Sequence, residues 1–232
     1  MIWAIVPAKT LEQAKTRLAY LLSLDERRAL SLAMLRDVLS ALRGAQYVDR
    51  VAIVTADATL GATARALGVG VVPEGNPGQN AALEGGVAYC RERGANAVLV
   101  VSADLPLLRP AVVDRLVVRG IQGGNNRLTL LAAARDGAGT NALFQRPPGI
   151  LPFLFGPSSL QRHQQAAAEL GIPIEVVRAR EFAFDIDEPA DLVDLVTSIE
   201  HTTGHTHTRA AILQMRLMER LQEPFYGESP VS

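Results

Sequence analysis

Short apolar runs alternate with stretches of helical periodicity along the first half of this chain. Nothing else in the sequence restricts the possible folds as much. Ile2–Val6 is apolar throughout and stops at Pro7, as a strand buried on both faces would. "RVAIVTAD", "VGVVPE" and "AVLVVSAD" repeat the pattern around residues 50, 70 and 100. Between them lie segments with helix signals. Ser23-Leu24-Asp25-Glu26 is a capping box, and Leu30, Met34, Leu35, Val38, Leu39 and Leu42 recur behind it at helical spacing. A helix is expected around Thr59–Leu67, another from the Asn76-Pro77-Gly78 loop to about Arg93, and a third led by Pro110 to about Arg119. Strand–helix alternation at this spacing predicts βαβ units and a mostly parallel sheet covered by helices on both faces.

From Gly120 the pattern changes. "RLTLLAAARDGAGTNALFQRP" reads as two strands around a Gly-rich turn, which makes the sheet mixed. A helix near Ser159–Leu170 follows, then a strand "IEVV", then "FAFDIDEPADLVDLV", read as a strand running into a helix. No internal repeat and no second core is visible, so residues 1–199 are expected to form one α/β domain. Residues 200–232 are expected to add a polar, His-rich linker and an amphipathic C-terminal helix. His201, His205 and His207 could bind a metal, but no nearby carboxylate or cysteine completes a site, and a linker is the simpler reading.

Charge and cysteine content exclude several functions. The net charge is -1, which offers no basis for coating nucleic acid or an anionic membrane. Cys90 is the only cysteine, so neither an internal disulfide nor a cysteine zinc site is available. No apolar run approaches the ~18 residues of a membrane span, and a cytoplasmic location is expected.

Against this background one loop is distinctive. Lys9 and Lys15, the only lysines of the chain, lie beside Arg17 directly after the first strand, while every other basic residue but histidine is arginine. In open α/β sheets ligands bind beyond the carboxyl ends of the strands. Pro7, Ala8, Lys9, Lys15 and Arg17 are therefore placed to hold phosphate oxygens. Asp104 closes "VLVVSAD" at the same edge, as a helix cap or as a ligand. Asp57, with a helix close behind it, reads as a cap. Asp185 and Asp187 are two apart, so in an extended segment both carboxylates face one side. Asp187 could cap the following helix; together with Asp104, the pair could instead hold a hard cation such as Mg²⁺. A P-loop motif and a dinucleotide-binding glycine motif are both missing. Basic loop and acidic trio together suit phosphoryl or nucleotidyl transfer.

Six segments, "VPAKTLEQAKTRLA", "PGQNAALEGG", "SADLPLL", "DGAGTNALFQRPP", "FLFGPSSLQRH" and "FDIDEPADL", occur in an order that resembles the 2-phospho-L-lactate guanylyltransferases of coenzyme F-420 biosynthesis, including bacterial forms that use phosphoenolpyruvate. The resemblance spans Met1 to about Val196. It implies a nucleotide-diphosphosugar-transferase-like fold and transfer of GMP from GTP, with release of pyrophosphate, to a small phosphorylated carboxylic acid. Phosphoenolpyruvate, 2-phospho-L-lactate and 3-phosphoglycerate are the acceptors considered. By the same resemblance Asp104, Asp185 and Asp187 bind the metal, Thr140, Gly156 and Ser159 hold the acid, and Asn80 and Glu84 are candidates to read guanine; "GTN", which includes Asn141, can offer the acid a hydroxyl and backbone amides. The chain departs from the family's usual pattern with "KTRL", "GQNAA" and "DIDEP". Two alternatives are a sugar- or molybdopterin-nucleotidyltransferase, whose Gly-rich opening loop is missing here, and a nucleotide-binding protein without turnover. A monomer or homodimer is expected.

Overall fold

The structure, a computed structural model, describes residues 1–75, 78–122, 126–200 and 206–222. Five strands fall where apolar runs predict them: β1 (Ile2–Pro7), β2 (Arg50–Thr55), β3 (Gly70–Pro73), β4 (Ala97–Val101) and β7 (Ile174–Val177). The Gly-rich hairpin supplies β5 (Leu128–Ala133) and β6 (Thr140–Arg146). All seven join one sheet in the order β3-β2-β1-β4-β6-β5-β7. Among the described strands only β6 runs against its neighbours β4 and β5; the other pairings are parallel. The mixed sheet is as expected.

Helices cover both faces. On one side α1 (Leu24–Gly44), α2 (Ala58–Ala66) and α4 (Pro110–Gln122) bury Leu35, Leu39, Leu42, Leu60, Val113 and Leu116 against Ala4, Val6, Ile53, Leu99 and Phe144 of the strands. On the other, α3 (Gln79–Glu92) and α5 (Ser159–Glu169) place Leu83, Val87 and Leu160 over Ile5, Val54, Val98 and Leu143. A Cβ at Gly86 would sit 2.7 Å from Val54, so only glycine lets α3 approach β2 this closely. Ser23 begins α1 with the expected capping box: its hydroxyl accepts from Glu26 N–H, and the Glu26 carboxylate accepts from Ser23 N–H. Asp57 caps α2 through Thr59 and Leu60, also as expected.

Two expectations need correction. "FAFDID" is not a strand: it forms the short α6 (Arg180–Ala183) and an unpaired stretch leading into α7 (Pro189–Glu200). Burial alternates there even so, with Phe182, Phe184 and Ile186 inside and Asp187 exposed. The carboxylates of Asp185 and Asp187 thus share a side without a sheet to enforce it. The single amphipathic helix expected in the tail is two, α8 (His207–Gln214) and α9 (Leu217–Gln222), separated at Arg216, whose φ of 54° is left-handed.

Asp37 on α1 accepts from His207 N–H and Thr208 N–H, both at 2.8 Å, and so anchors α8. Arg220 on α9 reaches Glu26 and the carbonyl of Leu21. Residues 206–222 thereby close a third apolar cluster. It joins Ile212 and Leu217 to Leu18 and Leu22 of the lysine loop's base, Leu30 and Met34 of α1, and Phe184, Ile186, Leu192 and Leu195 around α7. His201 and His205 lie outside the described residues. No helix among the described residues is long and apolar enough to cross a membrane.

Candidate active site

The order of strands reverses at β1: β2 and β3 lie on one side of it and β4 on the other. At such a switch point the loops after β1 and β4 diverge and leave a crevice. A cleft of about 970 Å³ opens there. Pro7, Ala8, Lys9, Lys15, Arg17, Asp104, Thr140, Asn141, Gly156, Ser159, Asp185 and Asp187, residues far apart in sequence, all line it.

The loop after β1 is tightly held. Ala8 N–H donates to the Val54 carbonyl at 3.0 Å, Leu11 N–H to the Asp57 carboxylate at 2.9 Å, and Arg27 to the Ala14 carbonyl at 3.1 Å. Two single turns of 3-10 helix, Leu11–Gln13 and Thr16–Leu18, flank Lys15, whose backbone is left-handed at φ 50°. Leu18, fully buried, anchors the end of the loop. This conformation, unfavourable for a residue with a Cβ, carries the Lys15 side chain inward until only 9% of it is exposed. Its Nζ lies 2.5 Å from Asp104 Oδ2 and 2.9 Å from Asp187 Oδ1. Arg17, more exposed, pairs with Glu188 at 2.9 Å.

Lys15 is therefore where the basic loop and the acidic residues meet. Burial works against its charge, but Asp104 and Asp187 outweigh that and raise its pKa. Burial likewise would raise the Asp187 carboxyl, yet Lys15, Arg17 and Lys9 hold it below the ordinary range. Asp185 has no such relief: burial, and then the charge of Asp104, push it up to about 6, against an Asn141 hydrogen bond that lowers it. The cleft thus holds more negative charge than Lys15 balances, and a divalent cation would relieve that excess. The donor set, three carboxylates open to water, fits Mg²⁺ or Mn²⁺ better than zinc. Among the described residues no three acidic, His or Cys side chains are already grouped at ligating distance.

The segment bearing Asp185 and Asp187 is positioned by Arg135, just past β5. Its backbone N–H donates to the Ala183 carbonyl, and its guanidinium pairs with Asp191 and with Asp194, lying 5.1 Å above the Phe184 ring. Asp191, on α7, also accepts from the backbone N–H groups of Asp187 at 3.0 Å and Glu188 at 2.7 Å. Asp187 is consequently not the cap of α7; its side chain is free for the cleft.

Across the cleft Thr140, Asn141 and Ser159 are buried at the start of β6 and of α5. Asn141 holds the Phe182 carbonyl at 3.0 Å. Asp136 shapes the turn before Thr140 by accepting from Ala138 and Gly139 N–H. His163, fully buried on α5, accepts from Leu154 N–H through Nε2 at 3.0 Å, with its Nδ1 3.4 Å from the Thr140 hydroxyl. Burial lowers its pKa to about 4, so it is a neutral strut. Gly156, with φ 122°, needs to be glycine for the turn ahead of α5.

The two guanine candidates are not brought here. The Asn80 side-chain amide is committed to the backbone of Phe155, donating to its carbonyl at 3.2 Å and accepting from its N–H at 2.9 Å. Asn80 thus ties α3 to the loop preceding α5. Glu84 faces a separate small cavity with Val87, Arg91, Leu151 and Phe153. Four residues on, it shares the helix face of Asn80, one turn farther along α3, whereas Gln79 and Ala82 line the cleft. Arg135, Asp136, His163 and Asp191 carry no mark of their roles in the sequence alone, although the last three lie inside the segments that carry the resemblance and Arg135 immediately precedes one.

Comparison with known proteins identifies the family. The model of the family described as "Guanylyl transferase CofC like" matches residues 2–222, so its reach includes the two C-terminal helices. A phosphoenolpyruvate guanylyltransferase of Conexibacter woesei is 41% identical over 217 residues, covering 92% of this chain and 96% of that one. A 2-phospho-L-lactate guanylyltransferase of Methanothermobacter thermautotrophicus is 33% identical over 214 residues, covering 92% and 90%. Among solved structures, a Desulfovibrio desulfuricans protein assigned to the nucleotide-diphospho-sugar transferases superposes with a TM-score of 0.75 at 15% identity, covering 95% and 97% of the two chains. A Mycobacterium tuberculosis protein crystallised with manganese has a TM-score of 0.52 at 20% identity, covering 85% and 98%. Basic loop, acidic residues and fold converge on nucleotidyl transfer: the chain belongs to the CofC-like guanylyl transferase family.

Proposed function

We propose that the protein transfers GMP from GTP to the phosphate of phosphoenolpyruvate, releasing pyrophosphate, in coenzyme F-420 biosynthesis. The observation that carries this reading is the Lys15 ammonium, in contact with Asp104 and Asp187 together at the mouth of the cleft. A nucleotide triphosphate needs cations from the loop and a metal on the carboxylates close enough for one phosphate chain to reach both, and this contact supports that arrangement. Phosphoenolpyruvate is preferred to 2-phospho-L-lactate as acceptor because the Conexibacter relative is the more similar of the two.

In this reading Lys9, Lys15 and Arg17 hold the triphosphate and balance the charge on the departing pyrophosphate. Asp104, Asp185 and Asp187 would hold Mg²⁺, which draws charge from the α-phosphate oxygens and orients the nucleotide. Thr140 and Ser159 offer hydroxyls and the turn at Gly156 backbone N–H groups to the phosphate and carboxylate of the acid, while the Asn141 amide holds Asp185 and the Phe182 carbonyl beside them. An acceptor phosphate oxygen attacks the α-phosphorus in line. The new P–O bond forms as the α–β bridging bond breaks, and its electron pair leaves with pyrophosphate. No protein base is required, since a phosphate monoester is largely ionised near pH 7.

The test is pyrophosphate release from GTP or ATP with Mg²⁺, crossed with phosphoenolpyruvate, 2-phospho-L-lactate and 3-phosphoglycerate. Turnover with GTP and phosphoenolpyruvate is expected to exceed every other pair. No release with any pair would sink the proposal, and preference for another acid would move the acceptor assignment.

A further inference from the structure

Neither Asn80 nor Glu84 lines the cleft, and we infer that guanine is read by Glu74. This rests on the guanylyl reading above and deepens it. Five acidic side chains line the cleft: Glu74, Asp104, Asp136, Asp185 and Asp187. Asp104 and Asp187 are joined through Lys15, and Asp185 lies within reach of Asp104's charge. Asp136 is taken by the N–H groups of Ala138 and Gly139. Glu74 alone of the five lies at the other end, directly after β3, and makes no hydrogen bond or ion pair with another described residue.

Its place fits a nucleotide laid across the strand ends. In the order β3-β2-β1-β4, three strand spacings separate the end of β3 from that of β4, about 14 Å. The loop bearing Lys9 and Lys15 springs from β1 between them. A nucleotide whose phosphates lie over β1 and β4 therefore brings its base toward β3. That end of the cleft is lined by the apolar faces of Pro7, Val54, Leu60 and Ala82, which suit the flat sides of a purine.

Hydrogen-bond polarity selects which purine. The Watson–Crick edge of guanine presents two adjacent donors, N1–H and the 2-amino group, beside one acceptor, O6. An ionised carboxylate only accepts, through two oxygens at matching separation. Gln79 and the first-turn N–H groups of α3, which the N-cap Gly78 leaves without a side-chain partner, are donors beside it for O6. Adenine reverses the pattern, turning the lone pair of N1 toward the carboxylate.

The experiment compares GTP with inosine triphosphate, which lacks the 2-amino group, in the wild type, Glu74→Gln and Glu74→Asp. Pyrophosphate release with phosphoenolpyruvate is followed, and the KM of the acid serves as a check of the fold. The wild type is expected to favour GTP by about tenfold or more, the worth of one charge-assisted hydrogen bond. Glu74→Gln should lower kcat/KM for GTP about tenfold or more and bring the ratio of the two nucleotides near one, with the acid's KM unchanged. Glu74→Asp should keep a preference for GTP while weakening it. A Glu74→Gln enzyme that keeps the wild-type ratio overturns the assignment and leaves the guanylyltransferase reading standing. A wild type without GTP-dependent release overturns both, and that outcome is visible before any variant is made.

Discussion

The two halves of the sheet hold their parts of the cleft in different ways. On the side of β1 to β4 each functional segment follows directly from a parallel strand and is seated on regular structure: Ala8 N–H joins the Val54 carbonyl of β2, Leu11 N–H joins the Asp57 cap of α2, and Leu18 packs beneath α1. On the side of β5 to β7 the acidic segment and the loop before α5 belong to no strand. Side chains hold them instead: Arg135 with Asp191 and Asn80 with Phe155 from distant elements, and His163 with Leu154 from the next helix. A site whose phosphate loop is built into regular structure and whose acceptor walls are tied by long-range polar contacts should respond unequally to substitution. The first half should lose chemistry when a charge is removed, and the second should lose geometry.

The strongest test of that contrast is Asp104→Ala. Loss of a ligand at the strand end should lower kcat about 10²-fold or more, on the order of 3 kcal/mol, without shifting the thermal midpoint appreciably. Near wild-type turnover in the folded variant would remove the metal from Asp104. Next comes the His163 strut, where the readout is stability against pH. Its folded pKa of about 4 lies below the ordinary value of about 6.5, so the unfolded chain takes up the proton first as pH falls. The stability this group contributes is complete above about pH 6.5 and drains away toward pH 4, by on the order of 3 kcal/mol. In His163→Gln, denaturant midpoints measured across that window should fall less steeply than in the wild type; parallel curves would contradict the buried neutral imidazole.

A smaller change is expected from Asp191→Ala. It frees the backbone of Asp187 and Glu188 and unpairs Arg135, and should cost about tenfold in kcat with an equal loss of Mn²⁺ affinity in the absence of nucleotide. If Mn²⁺ affinity holds while kcat falls, Asp191 acts on something other than the acidic segment. Smallest of all is Arg17→Ala. Its exposed pair with Glu188 should matter less than about 0.5 kcal/mol to stability, while the KM for GTP rises a few-fold and that for the acid stays put. A change in the acid's KM instead would blur the division between the two halves.

Much of this was legible beforehand. The four N-terminal strands, the mixed hairpin, the two caps and the meeting of Lys15 with Asp104 follow from residue order, since strand ends in an open sheet collect at one edge; Asp187 joins them as expected, but from a segment that is no strand. The failures have a common cause. "FAFDID" alternates like a strand, but that alternation comes from Phe184 and Ile186 burying into the third cluster and not from a ladder. Asn80 and Glu84 share one face of α3, and it is a face turned from the cleft: the first meets the Phe155 backbone and the second, a turn farther along, a separate cavity, which only the docking of α3 decides.

By itself the sequence determined the periodicities, the caps and the chemical identity of the cations and carboxylates, because these depend on neighbours within a few residues. The tertiary structure decided which carboxylates stay free. That choice turns on long-range partners: Arg135 and Asp191 release the Asp187 side chain from capping duty, the Phe155 backbone takes up Asn80, and Glu74 is left open at the far end of the cleft. A polar side chain can satisfy only as many partners as its atoms allow, and only the folded chain shows which of them have already been taken.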